Sequence, residues 1–197
     1  PILQIGAQID ITWKARLEEH LGSFQVELIR SRTANVMNDR LLLAGMLSSA
    51  TLINRFFPTG QVYKEFYKSS ENLFDLLQFP DIWTLGYFKW ELEFLETLGF
   101  GLDLEKCAVT GSTEDLKFIS PKSGRAVSEA AAGDWSSKLL PFPIAASGKV
   151  NSLEDILDGL KVSQFFLEKK VLIAFGMEHM PSARSRFISS LETKIKN

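Results

Sequence analysis

The residues that could perform chemistry are few and widely spaced. Cys107 is the only cysteine, and the two histidines, His20 and His179, lie far from it in the sequence. Nucleophilic catalysis needs a thiol or hydroxyl beside a base, together with a third group that orients the base. No spacing of that kind is visible, and the sequence has no Walker-type phosphate-binding loop. We therefore expect a protein that is not an enzyme and needs no cofactor.

Three glutamates, Glu91, Glu93 and Glu96, come nearest to a catalytic pair of carboxylates. Residues two positions apart on a helix point to different sides, so Glu91 and Glu93 cannot act on one substrate together. We interpret the three glutamates as a solvated helix face.

The charged residues are distributed unevenly, although the net charge is only −2. Residues 65–115 contain eleven acids and three bases, a net charge of −8, whereas residues 160–197 contain seven bases and three acids, a net charge of +4. Such asymmetry can separate an anion-binding face from a face that contacts protein. Ordinary solvated helix faces would give the same pattern, so charge alone does not decide.

A protein that binds nucleic acid without reading its sequence needs cations spaced along the phosphate backbone. The candidate cations are Arg30, Arg32, Lys169, Lys170, Arg184 and Arg186. Arginine suits this role because its planar fork of donors matches phosphate. Solvated surface charge is the alternative interpretation for each of them.

These residues must be positioned by a mainly helical fold with a β-hairpin at its start. Apolar and polar residues alternate over residues 9–13 and again over 24–28, which indicates two half-buried strands joined by a turn. A lone hairpin is marginally stable, so we expect it to pack on other elements or to belong to a larger sheet.

Helical periodicity follows the hairpin. The predicted helical segments are 41–57, 62–77, 81–98, a region from Asn151 or Ser152 to Gly176, and 182 to about 195. The first is capped by Asn38 or Asp39 and is apolar nearly all round, and Gly159 is a candidate break in the fourth. The third helix has two apolar stripes and is therefore expected to be central. Residues 102–143 are irregular, with short strands expected at 108–109, 118–119 and 126–127.

Composition sets the expected compartment. A single cysteine cannot form an internal disulfide, which fits a reducing cytoplasm. The longest apolar run, residues 41–46, is far shorter than a membrane span, and no secretory leader is visible. We expect a cytoplasmic protein without membrane contact. The chain opens with Pro1 and an extended apolar pattern begins close to it, which fits a mature N-terminus as well as a chain that begins inside a domain.

Several segments, in this order, resemble the RecO family of recombination mediators. They are residues 89–104 (KWELEFLETLGFGLDL), 107–111 (CAVTG), 120–128 (SPKSGRAVS), 139–143 (LLPFP) and 181–186 (PSARSR). The resemblance implies that residues 1–32 are the end of an OB-fold barrel whose earlier strands are absent, so that the chain is incomplete at its front. It implies that residues 33–197 are an α-helical domain, with a zinc-ribbon-like insertion at about 102–143. Zinc is not expected, because Cys107 stands alone where the family has four cysteines, with Thr110, Val127 and Ala130 at the other positions.

The same resemblance implies a function in DNA repair and RecF-pathway homologous recombination, and hence a nucleoid-associated location in the cytoplasm. Family members bind single- and double-stranded DNA, anneal strands and help load the recombinase with RecR. The basic motif at 181–186 makes Arg184 and Arg186 the preferred DNA contacts. The resemblance also implies that Lys89 and Leu92 border a groove for the acidic tail of single-stranded-DNA-binding protein, although plain core packing of Leu92 is an equal alternative. The alternative function is an adaptor that binds RecR or single-stranded-DNA-binding protein without touching DNA.

Overall fold

A computed structural model describes residues 2–17 and 20–197, without the side chain of Asn35. Pro1 and the two glutamates at 18 and 19, which fall in the predicted hairpin segment, lie outside the described residues. In chain order the elements are β1 (Gln8–Lys14), β2 (Ser23–Arg30), α1 (Arg40–Phe56), α2 (Lys64–Asp75), α3 (Pro80–Thr97), β3 (Leu116–Ile119), β4 (Ala126–Ser128), α4 (Glu129–Ala132), β5 (Leu140–Pro141), α5 (Leu153–Phe166), α6 (Leu172–Ala174) and α7 (Ser182–Lys196). The predicted mainly helical fold is confirmed for this part of the chain.

The strands β1 and β2 form an antiparallel hairpin, as the alternation predicted. Trp13 pairs with Phe24 across the strands, and their ring centroids are 4.6 Å apart. This apolar face is largely open to solvent: Trp13 is 49% exposed and Phe24 is 65% exposed. The hairpin therefore carries an apolar face that the rest of the described chain leaves uncovered.

Helix α3 lies at the centre of the helical domain. One of its faces, formed by Trp83, Tyr87, Trp90 and Phe94, is completely or almost completely buried. Phe187 of α7 packs against this face, with its ring centroid 4.3 Å from that of Tyr87. The predicted central role of this helix is thus confirmed.

Two glycines allow helices to approach α3 closely. A Cβ atom at Gly45 of α1 would lie 2.2 Å from the Trp83 ring, and one at Gly159 of α5 would lie 2.8 Å from the Phe88 ring. Gly159 does not break its helix, contrary to the sequence-based expectation, since α5 runs through it. It is a contact point at which a side chain has no room.

Helix α5 starts at a capping box and ends in a widened turn. The Ser152 hydroxyl accepts a hydrogen bond from the Asp155 backbone N–H, and the Asp155 carboxylate accepts one from the Ser152 N–H. At its other end, residues Leu167–Val171 form a π-helical turn before α6. None of the helices in the described part of the chain combines the length and apolar character needed to cross a lipid bilayer.

A small antiparallel sheet with strand order β4-β3-β5 lies between α3 and α5 in the chain. The strands expected at 118–119 and 126–127 are present, but that at 108–109 is wrong, because these residues form a turn. The segment at 140–141 supplies the third strand instead, pairing Ile119 with Leu140. A second, smaller apolar cluster around Cys107, Val127 and Ala132 supports this sheet.

Candidate functional site

The most tightly organised polar group of the helical domain is an ion pair between α3 and α7. Arg184 Nε and Nη2 donate to the two carboxylate oxygens of Glu91 at 2.8 and 2.7 Å. Both residues are buried, with Arg184 only 2% exposed and Glu91 fully enclosed. The interpretation of Glu91 as part of a solvated face is therefore wrong, whereas Glu93 and Glu96 are exposed as expected.

Further hydrogen bonds satisfy the remaining polar atoms of this pair. Arg184 also donates to the Leu160 carbonyl at 2.9 Å, and the Ser163 hydroxyl donates to Glu91. The Tyr87 hydroxyl lies 2.7 Å from that of Ser48 and 3.3 Å from a Glu91 oxygen. Burial and the neighbouring Glu91 charge raise the pKa of Tyr87 well above its usual value, so this phenol stays protonated.

Arg184 consequently cannot be a DNA contact in this fold. Burial disfavours its charge, but the Glu91 charge and hydrogen bonds outweigh burial and raise the pKa of Arg184, which stays a cation. Its donors are occupied inside the protein, and no face of the guanidinium is open to a phosphate. The expectation that Arg184 binds DNA is corrected on this ground: it joins α3, α5 and α7.

Arg30 and Arg32 are also engaged within the protein. Arg32 is 6% exposed and donates through Nε to Asp75 of α2 at 2.6 Å, while Arg30 contacts the same carboxylate at 2.7 Å. Partial burial alone would raise the pKa of Asp75, but the hydrogen bonds and charges of Arg32 and Arg30 lower it below its usual value. These arginines fasten the hairpin to α2, so the expectation of DNA contacts is corrected for the buried Arg32 and weakened for Arg30.

The other three predicted cations lie at the surface. Lys169 and Arg186 are exposed and Lys170 is half-buried. Within residues 2–17 and 20–197, none of the three forms a salt bridge; Arg186 donates to the Ser182 hydroxyl at 2.9 Å. These side chains remain available to an external anion.

Two further exposed cations, Arg40 and Lys194, were missed by reasoning from the sequence. They line one groove with Arg186, between the start of α1 and α7. Lys194 belongs to the basic segment 160–197, which was its one available signal. Arg40 had none, because its proximity to α7 is a product of the tertiary fold.

Lys89 and Leu92 lie on the side of α3 away from its buried aromatic face. Lys89 is exposed, and Leu92 is partly buried against the main core. Neither residue lines the groove between α1 and α7. Core contact therefore accounts for part of the Leu92 surface, and the remainder lies beside an exposed cation.

The described residues around Cys107 do not fit a zinc site. Its Sγ accepts hydrogen bonds from the Ser128 backbone N–H at 3.3 Å and hydroxyl at 3.4 Å. Burial would raise the pKa of the Cys107 thiol, but hydrogen bonds from Ser128 and Thr110 lower the pKa to about 6. Over residues 2–17 and 20–197, no three His, Cys, Asp or Glu side chains come together as metal ligands. The partners of the Cys107 sulfur are Ser128 and Thr110 instead.

Comparison with known proteins identifies the class to which this domain belongs. The family model described as "Recombination protein O C terminal" matches residues 37–176, which include helices α1, α2, α3 and α5 and the small sheet. A protein named DNA repair protein RecO from Ruegeria sp. (strain TM1040) is 47% identical over 197 residues, which are 99% of this chain and 81% of that protein.

Two further relatives with the same name are almost as similar. The protein from Jannaschia sp. (strain CCS1) is 45% identical over 99% of this chain and 80% of its own length. That from Roseobacter denitrificans is 43% identical over 99% of this chain and 81% of its own length. The chain belongs to the RecO family.

Proposed function

We propose that this chain is a non-catalytic DNA-binding mediator of RecF-pathway recombinational repair. Its membership of the RecO family carries the proposal, because relatives that match almost the whole chain are named as DNA repair proteins. The free surface cations Lys169, Lys170 and Arg186 support it physically. In this proposal the protein holds strands and partners together, and makes or breaks no bond.

The binding energy would come mainly from neutralising phosphates. Each cation that contacts a phosphate releases a condensed counterion, so binding weakens as salt rises. Arg184 and Arg32 are excluded from the contact set by their burial, and Arg30 is left out because it is already paired with α2. The remaining cations lie in the π-helical turn after α5 and near the start of α7. The proposed set is therefore smaller than the sequence alone indicated, at Lys169, Lys170 and Arg186.

The hairpin supports a second part of the proposal, that residues 1–32 form the end of an OB-type barrel. Its apolar face, which includes Ile11, Trp13 and Phe24, is about half exposed or more. An apolar face of this kind needs further strands to cover it, since two strands cannot close a barrel. We further infer that the three-stranded sheet β4-β3-β5 is the family's ribbon-like insertion, held here without metal.

The proposed partners are single- and double-stranded DNA, RecR and single-stranded-DNA-binding protein. Annealing and recombinase loading would need such a scaffold to contact strands and proteins together. Lys89 beside the partly buried Leu92 is the candidate edge for an acidic tail, since it offers a cation next to apolar surface.

Fluorescence anisotropy with a labelled single-stranded oligonucleotide over a range of salt tests DNA binding. We expect Kd to rise steeply with salt. The triple variant Lys169→Ala, Lys170→Ala, Arg186→Ala should reduce the slope of log Kd against log salt by about two, because each of three lost phosphate contacts contributes roughly 0.7 to the slope. Lys161→Ala is the matched control on α5, because Lys161 is already paired with Asp158 at 2.8 Å.

An unchanged slope in the triple variant would reject these three cations as DNA contacts. If the chain bound RecR or single-stranded-DNA-binding protein in a pull-down but showed no salt-sensitive DNA binding, the adaptor alternative would replace the mediator proposal.

A further inference from the structure

A long groove runs between the first half of α1 and the whole of α7. Its volume is about 1020 Å³, and it is open to solvent. On the α1 side its floor is formed by Leu43, Ala44 and Leu47, and Leu43 is 39% exposed. The α7 side presents small hydroxyl residues, namely Ser182, Ser185, Ser189, Ser190 and Thr193. Although α1 is apolar nearly all round, its leucines therefore face open space on this side of the helix.

The rim of this α1–α7 groove is cationic. Arg40, Arg186 and Lys194 line it and are exposed. Within residues 2–17 and 20–197 these three cations form no salt bridge. The one acidic side chain in the lining, Asp39, is already used as the N-cap of α1 and accepts from the backbone N–H groups of Leu41 and Leu42. The groove thus combines an apolar floor with a net positive rim, three cations against one carboxylate.

We propose that the α1–α7 groove binds an acidic amphipathic helix of a partner protein. Leu43 and Leu47 are one helical turn apart, so they form a ridge that an apolar stripe spaced three and four residues apart can pack against. The small side chains of α7 allow a helix backbone to approach closely. A helix as long as α7, which has 15 residues, would extend about 22 Å along the groove.

Charge complementarity selects this occupant over two others. Arg186 is exposed and could contact a strand as proposed above, but a strand that filled the groove would leave the leucine ridge without an apolar partner. A second copy placed by twofold symmetry would bring the same patch against itself, and therefore cations against cations. Glutamates flanking an apolar stripe satisfy both the rim and the floor.

A direct test uses a labelled peptide of about 15 residues, the length of α7, with leucines three and four positions apart and glutamates elsewhere. Its binding to the full chain is followed by fluorescence anisotropy. A peptide of the same composition in scrambled order, which has the charge but no stripe, is the reference. We expect the striped peptide to bind more tightly, and added salt to weaken its binding.

Two variants locate the binding site. Leu43→Asp should weaken peptide binding by about tenfold or more, because it places a charge on the apolar floor. Its matched control is Ile173→Asp, which makes the same change at a residue 71% exposed and outside the groove. Lys194→Glu should weaken binding, while Lys196→Glu on the same helix, also outside the groove lining, should change it much less.

Circular dichroism confirms that each variant is folded before binding is compared. Equal binding of the scrambled peptide, or no effect of Leu43→Asp, would overturn the proposal. So would displacement of the peptide by a single-stranded oligonucleotide whose own binding falls in Leu43→Asp, since the groove would then be a DNA site. A dimer in sedimentation analysis that Leu43→Asp dissociates would assign the groove to a second copy instead.

Discussion

The β1–β2 hairpin and the helical domain place their side chains in opposite ways. In the hairpin, Trp13 and Phe24 are paired yet half or more exposed. In the helical domain, Glu91 and Arg184 are charged yet enclosed. Burial follows from the number of elements available to cover a residue: α3 has neighbours on two sides, whereas the hairpin contacts α2 through polar groups near its base.

This difference indicates what holds each region in place. The helical domain is held by aromatic packing around α3 and by an ion pair whose donors and acceptors are satisfied. The hairpin is held by Arg30, Arg32 and Gln8, which contact Asp75 and Glu71 of α2. The first set is shielded from solvent. The second is partly open to water, so pH and salt act on it more strongly.

The largest expected effect is loss of the buried pair. Arg184→Ala should lower the free energy of unfolding by about 3–5 kcal/mol, because it leaves the Glu91 carboxylate buried without its partner. Urea denaturation measures the change. Arg186→Ala, two residues away and exposed, is the control and should stay within about 0.5 kcal/mol. If the two variants were equally stable, the buried pair would not hold the helical domain as described.

A pair of phenylalanines gives a second test of the contrast. Phe187→Ala should cost about 3–5 kcal/mol, since this ring is fully buried against Trp83 and Tyr87. Phe24→Ala should cost about 1 kcal/mol or less, because it removes mainly an exposed aromatic contact with Trp13. Thermal and urea unfolding of both variants compare them. A cost for Phe24→Ala as large as that for Phe187→Ala would mean that the hairpin and helices share one core.

The sequence predicted these two regions unequally. Local signals sufficed for the strands, because the alternation of each is visible over five residues, and for the α1 cap, because Asp39 accepts from the backbone N–H of Leu41 two positions away. Arg184 was misassigned because its partner, Glu91, is 93 residues away and no local pattern links them. An exposed arginine and a buried, paired one have the same sequence signature, so Arg186 and Arg184 could be separated only by the fold. The α1–α7 groove escaped prediction for the same reason.

The smallest expected effect concerns the attachment of the hairpin at acidic pH. The pKa of Asp75 in the folded protein lies below its usual value of 3.8, mainly because hydrogen bonds from Arg32 and Arg30 outweigh partial burial. A carboxylate whose pKa is depressed by folding contributes stability above its unfolded pKa and loses it as pH falls through the folded pKa. The hairpin contacts should therefore loosen only below about pH 4.

Backbone NMR shifts of the hairpin between pH 6 and pH 3 can follow this loosening. Asp75→Asn should remove the transition by loosening the contacts at every pH, because the amide carries no charge to pair with Arg32. Asp10→Asn, on the exposed side of β1, should leave the transition in place. If the hairpin shifts changed equally in the wild type and in Asp75→Asn, another carboxylate would fasten the hairpin. Glu71, which accepts a hydrogen bond from Gln8 at 3.1 Å, would then be the residue to change next.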